Sequence, residues 1–229
     1  MTQIFGVSID NLSRKETLER VNSWLKTDEF HRIATVNPEF LLLAEKNSNF
    51  KQSLLAADLR IADGIGLHFP FWLSGEKLIG HYPGVDLMHD ILRMAEEMNK
   101  QVALALHEHG LSTPVQILAC LKEKYPKLKC RLYSEILTLD TRDEILFCNY
   151  GAPLQETYLE SFRTKKGNIK LVMGVGGSFD YLTGVLPRAP KICRQLGLEW
   201  LWRLYQQPRR FRRIWNAVGV FPVKVLSQK

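Results

Sequence analysis

Long apolar runs are missing from this 229-residue chain. No stretch approaches the roughly 18 consecutive apolar residues that a bilayer-spanning helix needs, so no crossing segment is expected. The string Met1 to Glu16 has no basic region followed by an apolar one, so it does not read as a secretory signal. The chain is therefore expected on the cytoplasmic side. Cysteine is scarce, at Cys120, Cys130, Cys148 and Cys193. These lie far apart with no Cys-x-x-Cys pair, which argues against a disulfide framework or a zinc site and for reduced thiols. There is no Asp-x-Asp pair of the kind that holds a divalent ion on a nucleotide diphosphate, and no metal or other cofactor is expected. Internal repeats and low-complexity runs are also absent. An apolar fraction of 45% and a charged fraction of 24% are those of an ordinary globular protein with a sizeable core.

Charge is present in excess, but not evenly. From Arg188 onward there are ten Lys/Arg against one acid, Glu199. The preceding 187 residues hold 21 basic and 23 acidic groups. A nearly neutral body thus carries a strongly cationic terminal segment, which should meet something anionic.

Short apolar runs alternate with amphipathic stretches along the body. Strands are expected at Phe5–Ile9, His31–Val36, Leu59–Ala62, Gln101–Leu106, Lys129–Tyr133, Glu144–Asn149 and Ile169–Met173. Ser13-Arg-Lys-Glu16 has the form of a capping box opening a helix through Leu25. Further helices are expected from Glu39, around Leu54–Ala57, from Gly84 to Met98, and from Thr113 to Lys124, where Pro114 fits the first turn. Strands alternating with helices predict an α/β layered fold with a mostly parallel sheet. Ligands collect beyond the carboxyl ends of such strands, and the polar and glycine-rich strings lie there: Thr35-Val-Asn37, Ala62-Asp-Gly64, Tyr150-Gly-Ala-Pro153 and Gly174-Val-Gly-Gly177.

Each string has an ordinary reading too. The glycines after Asp63 could simply make a tight turn, while Asp63, an acid at a strand end, is a candidate general base. Thr35 and Asn37 could be helix caps. Gly174-Val-Gly-Gly177 could turn backbone N–H groups toward a phosphate. It lacks the Gly-Lys-Ser/Thr of a P-loop and the spacing of a dinucleotide fingerprint. His107-Glu108-His109 invites a metal reading but matches a polar loop better.

In the terminal segment Trp200, Trp202, Tyr205, Phe211 and Trp215 interleave with Arg203, Arg209, Arg210, Arg212 and Arg213. Three readings stand: a membrane-surface segment, a nucleic-acid stacking surface, or a helix that packs its aromatics on the body. Pro208 should split it into two short helices.

Taken in order, the strings resemble the WecG/TagA/CpsF family of bacterial glycosyltransferases. The matching pieces are Thr35-Val-Asn-Pro-Glu39, Ala62-Asp-Gly-Ile-Gly66, Gly84-Val-Asp-Leu87, Gly151-Ala-Pro-Leu-Gln-Glu156, Gly174-Val-Gly-Gly-Ser-Phe-Asp180, Gly184, Arg188-Ala-Pro190, Leu196-Gly-Leu-Glu-Trp200, Arg203-Leu204 and Pro208-Arg-Arg210. They span nearly the whole chain. The resemblance implies a Rossmann-like α/β domain over residues 1–195 and a basic, aromatic, membrane-docking helical appendage over 196–229. It implies an inverting, metal-independent enzyme of cell-envelope or exopolysaccharide synthesis. The enzyme would move N-acetylmannosamine, its uronate or a related hexose from a UDP-sugar to a polyprenyl-diphosphate-linked sugar. Its place would be the inner face of the cytoplasmic membrane, on an anionic lipid surface, with a homo-oligomer among the implied partners and nucleic acid not.

Residue by residue, the resemblance implies Asp63 as the base with Thr35 beside it. Asn37, Gly64, His81, Gln155, Gly176, Gly177 and Asp180 would line the donor pocket. Arg203, Arg209, Arg210, Arg212 and Arg213 would serve the diphosphate and the membrane. The chain departs from the family pattern at His81, where an arginine is usual, at Leu154, where a lysine is usual, and at His107-Glu-His-Gly110. The competing reading of the residues is a non-enzymatic nucleotide or nucleic-acid binding α/β module with a basic arm. It differs by needing neither bilayer nor acceptor and by binding that falls steeply with salt.

Overall fold

The computed structural model describes residues 2–108, 110–133, 142–165 and 167–227. In chain order the elements are β1 (Gln3–Ile4), β2 (Val7–Ser8), α1 (Arg14–Trp24), β3 (His31–Val36), α2 (Pro38–Lys46), α3 (Ser48–Leu55), β4 (Leu59–Ala62), α4 (His68–Leu73), α5 (Gly84–Glu97) and β5 (Gln101–Ala105). There follow α6 (Pro114–Lys124), β6 (Lys129–Tyr133), β7 (Asp143–Cys148), α7 (Leu154–Glu160), β8 (Leu171–Gly174), α8 (Ser178–Leu182), α9 (Lys191–Gln195), α10 (Glu199–Gln206), α11 (Phe211–Trp215) and α12 (Phe221–Ser227).

Six strands form one sheet in the order β4-β3-β8-β7-β5-β6, and every pairing is parallel. The expected α/β architecture is thus present, with the parallel sheet between helical layers and a helical C-terminal region. The strand alternation builds both cores, because successive side chains point to opposite faces. Ile33, Val102, Leu104, Ile145, Phe147, Leu171 and Met173 face one side. There they meet Val21 and Leu25 at α1, Leu87, Met88 and Ile91 of α5, Ile117 and Leu121 of α6, and Phe179 and Leu182 of α8. Their neighbours Ala34 and Val36 face the other side, under α2, α3, α4 and α12, while Ala103, Leu146 and Val172 lie under α7.

Local chemistry explains the helix starts. Ser13 and Glu16 form the expected reciprocal capping box on α1. Thr113 and Gln116 form a second one on α6, with Pro114 in the first turn. One expectation is corrected. The run Phe5–Ile9 is not a continuous strand: β1 and β2 are an antiparallel hairpin. The turn uses left-handed backbone at Phe5 (φ 54°) and Gly6 (φ 74°). An apolar run does not reveal such a turn when one of its left-handed residues is a phenylalanine.

The terminal segment divides more finely than into two helices: α10, a 3-10 turn at Pro208–Arg210, α11, a π turn at Asn216–Val220 and α12. It lies against the body. Phe221 is fully buried and Val225 nearly so, both in the core beneath α2 and α4. Arg213 donates two hydrogen bonds to Glu39, at 3.0 and 2.7 Å, and Lys224 pairs with Glu45.

Candidate active site

The candidate residues gather beyond the carboxyl ends of β3, β4 and β8. The Asp63 N–H donates to the Val36 carbonyl at 2.8 Å, extending the ladder one residue past β4. Gly64 then takes φ 98° and ψ 151°, a region that only glycine enters without strain. Opposite, the Tyr82 N–H donates to the Ala62 carbonyl at 2.9 Å, which brings the start of α5 over the strand end. The Gly84 N–H, in the first turn of α5, donates to the Asp63 carboxylate. A Cβ at Gly84 would stand 3.2 Å from Thr35 Cγ2, so a glycine lets the helix approach Thr35 closely. Thr35, Asp63 and the positive end of α5 therefore converge.

Asp63 keeps some solvent contact but is packed by protein on most sides. Burial pushes its carboxyl up to about 6, against the pull of the Gly84 N–H and the Arg203 charge, and with the push of Glu199 and Asp86. A carboxylate in this state is a stronger base than an ordinary aspartate, yet mostly ionised at neutral pH.

The glycine-rich turn after β8 is held from beneath. Gln155 is buried. Its Oε1 accepts from the Gly151 N–H at 3.2 Å and from the Gly176 N–H at 3.3 Å. Its Nε2 donates to Glu156 Oε1 at 2.9 Å. Glu156 in turn pairs with the fully buried Arg32 at 2.8 Å. Gln155 thus ties two loops of the rim together, and the Gly176 N–H is engaged by it. Asp180 does similar work with one oxygen: Oδ1 accepts from the Ser112 N–H at 3.0 Å and the Ser112 hydroxyl at 2.8 Å. Its Oδ2 faces Gly177, 3.4 Å from where a Cβ would stand.

Arg203 reaches the same turn from α10. Its Nη2 lies 3.5 Å from the Gly177 Cβ position, and its guanidinium stands over the Tyr181 ring at 5.7 Å. Its Nε is buried without a hydrogen-bond partner among the described residues. Two bonds to the Pro187 carbonyl hold α10 in place, from Trp202 Nε1 at 3.2 Å and Gln206 Nε2 at 2.9 Å. Arg210 follows on the same side. Burial, with the like charges of Arg203 and Arg213, lowers it to about 10. The two guanidiniums form a cationic pair that an anion would relieve. Arg213 is engaged by Glu39, and Arg209 and Arg212 are exposed.

Two expected donor-pocket residues, Asn37 and His81, have partners within the protein. Asn37 caps α2, its Oδ1 accepting from the Phe40 N–H at 3.0 Å, which matches the ordinary reading of that position. His81 lies 3.4 Å from His68 across two ring nitrogens. It lines a cleft of about 350 Å³ with Ser13, Arg14, Tyr82 and Asp86. Asp86 is bound by Arg188 through both carboxylate oxygens, one bond measuring 2.8 Å. Burial raises Asp86, but those bonds outweigh it and hold the carboxyl low. A wider cleft of about 520 Å³, lined by Phe5, Gly6, Glu45 and Lys51 among others, contains none of the candidate residues.

Sequence reasoning missed Gly84 as a direct partner of Asp63, and Glu199 as an acid near it. The i, i+4 spacing of Glu199 and Arg203 was an available signal, since it places both on one side of α10. His109, part of the string considered for metal, lies outside the described residues.

Residues 2–229 match the model of the glycosyl transferase WecG/TagA/CpsF family. The chain is 24% identical over 238 residues to an N-acetylglucosaminyldiphosphoundecaprenol N-acetyl-beta-D-mannosaminyltransferase of Staphylococcus aureus strain MRSA252, covering 99% of this chain and 92% of that protein. It is 29% identical over 193 residues to a protein of the same name from Bacillus spizizenii, covering 80% of this chain and 74% of that one.

Proposed function

The chain belongs to the WecG/TagA/CpsF family of glycosyl transferases, and from that premise we propose that it moves a hexose from a UDP-sugar to a polyprenyl-diphosphate-linked sugar. The donor hexose in this reading is N-acetylmannosamine, its uronate or a close relative. The names of the relatives support both that sugar and an acceptor of the N-acetylglucosaminyl-diphospho-lipid class. One observation carries the reading: a carboxylate held near pKa 6 shares its rim with an arginine lying against a glycine-rich turn.

The reaction is a single displacement with inversion. The acceptor hydroxyl oxygen attacks the anomeric carbon as the bond from that carbon to the β-phosphate oxygen breaks. The bonding pair leaves on UDP, and the hydroxyl proton passes to the Asp63 carboxylate. The Gly84 N–H holds that carboxylate in place, with Thr35 packed against Gly84. Charge grows on the departing diphosphate, and Arg203 with Arg210 stabilises it where it develops. Gln155 and Asp180 fix the shape of the turn on which the donor rests. Protein groups supply the whole of this electrostatic work, so the proposed chemistry is metal-independent.

The terminal segment holds its arginines at the rim and turns Tyr205, Phe211 and Trp215 outward, beside the exposed Arg209 and Arg212. Among the described residues no helix is long and apolar enough to cross a membrane. We propose that residues 196–229 dock the enzyme peripherally on the anionic inner face of the cell membrane, where a lipid-linked acceptor resides.

The test is a panel of UDP-sugars offered with a short-chain polyprenyl-diphosphate N-acetylglucosamine. Acceptor-dependent UDP release, with a product heavier by one hexose unit and of opposite anomeric configuration, is expected. UDP release that ignores the acceptor would identify a hydrolase instead.

A further inference from the structure

We propose that α4, with Trp72 at its surface, is a second bilayer-contacting element, separate in sequence from the terminal segment, and that the two together set the angle at which the cleft faces the lipid. The inference rests on the membrane reading given above and extends it to the body of the enzyme.

The helix His68-Phe-Pro-Phe-Trp-Leu73 carries no acidic or permanently cationic residue. Its inner side chain, Phe71, is fully buried with Leu67 and Leu78, and they share a core with Phe221 and Val225 of α12. Its outer side chain, Trp72, is 72% exposed and stacks with Phe69 at 6.2 Å. One exposed aromatic alone is ordinary, but several exposed apolar side chains on adjoining elements mark an interaction surface. The neighbouring elements repeat the pattern. Ile79 is 60% exposed, and it is held there by Asn11, which bonds the Lys77 carbonyl and the Ile79 N–H, each at 2.8 Å. On α12, which packs against α4, Val223 and Leu226 are exposed.

The occupant argued for is an anionic bilayer. Tryptophan favours the headgroup level of a membrane. The exposed cations are Arg209 and Arg212 on the terminal segment, whose last helix α12 packs against α4; on the body the exposed Lys77 stands beside the exposed Glu76. The helix begins directly after the 3-10 turn Ile65–Leu67 that follows Asp63, so lipid contact at α4 brings the surface to the side of the base. A second copy of the chain fits less well, because four exposed apolar side chains fall short of the roughly 20–30 residues and ~800 Å² per partner of a stable interface.

The full-length protein is sedimented with vesicles of phosphatidylcholine and phosphatidylglycerol, and its tryptophan emission is read with brominated lipid. Trp72→Ala should partition about tenfold more weakly than the wild type, and Trp72→Phe within about threefold of it. Brominated lipid should quench the wild type more than Trp72→Phe. Transfer to a short, water-soluble acceptor should be unchanged in Trp72→Ala, while transfer to a full-length acceptor in vesicles should fall. Wild-type partitioning and quenching by the Trp72 variants would overturn the proposal and leave the terminal segment as the docking element. A dimer that Trp72→Ala converts to monomer, with vesicle binding intact, would also overturn it. Failure of the wild-type protein to bind vesicles would overturn the membrane reading itself.

Discussion

The ring of Phe221 meets that of Phe5 edge to face, with centroids 5.8 Å apart. The last helix is thereby bound to the first hairpin, and the core beneath α2 and α4 is completed by the terminal segment. Phe221→Ala should therefore destabilise the whole protein, by about 3–5 kcal/mol. Removing everything after Leu196 should cost at least as much. Chemical denaturation of both variants checks this. An unchanged midpoint would mean that the segment is dispensable to the core.

Gln155 makes a different prediction from that of a substrate contact. Its carbonyl satisfies two N–H groups from loops separated in sequence, and its amide faces Glu156. Gln155→Leu leaves those donors unpaired and should cost about 1–3 kcal/mol of stability. Gln155→Glu should be worse than Gln155→Leu at neutral pH, because it sets a second buried carboxyl against Glu156. If thermal unfolding is unmoved in both while UDP affinity falls, the residue is a ligand contact and not a tie.

Asp63, the proposed base, was more legible in the sequence than the groups around it. Ser13 with Glu16, the apolar strands of the parallel sheet, and an acid followed by glycine at a strand end are local signals, and each is realised in the fold. What escaped was non-local or conformational. The bond between Gln155 and the Gly176 N–H spans 21 residues, and no local pattern marks it. Phe5 is left-handed in a hairpin turn, with its ring buried in the core against Phe221. Among the five arginines of the terminal segment, composition is silent on which faces the rim. That choice is made by the Pro187 carbonyl, which receives Trp202 and Gln206.

Asp63 should leave its mark on both activity and stability. Its carboxyl is harder to ionise in the folded protein, with a value raised from 3.8 to about 6. Folding stability attributable to it is therefore present below about pH 4 and lost as pH rises through about 6. Asp63→Asn should accordingly be more stable than the wild type at pH 7, by on the order of 1 kcal/mol. The base must be ionised to work, so kcat/KM of the wild type should rise with pH to a plateau above about 6. Asp63→Asn should lose transfer by about 10²–10⁴-fold with UDP binding largely kept. Equal loss of transfer and UDP affinity would reassign the residue to substrate binding.

The five arginines of the terminal segment should separate by position. Arg203 lies against the glycine-rich turn and its charge acts on Asp63, while burial, and then the like charge of Arg203, lowers Arg210 to about 10. Arg209 and Arg212 point to solvent. Charge stabilisation inside a cleft is worth far more than the same charge in water. Arg203→Ala should thus lower kcat/KM by about 10²–10³-fold on a water-soluble acceptor, where no membrane is involved. Arg203→Lys should recover only part of that, since an ammonium cannot present the guanidinium fork to a diphosphate. Arg209→Ala and Arg212→Ala should be nearly silent in that assay and should instead weaken vesicle binding, by about fivefold for each charge removed. Kinetics on soluble acceptor, set beside co-sedimentation with anionic vesicles, divides the two groups. Equal kinetic losses on alanine substitution of Arg203, Arg209 and Arg212 would show that the segment acts through its total charge, and that the placement of Arg203 at the turn is incidental to the reaction.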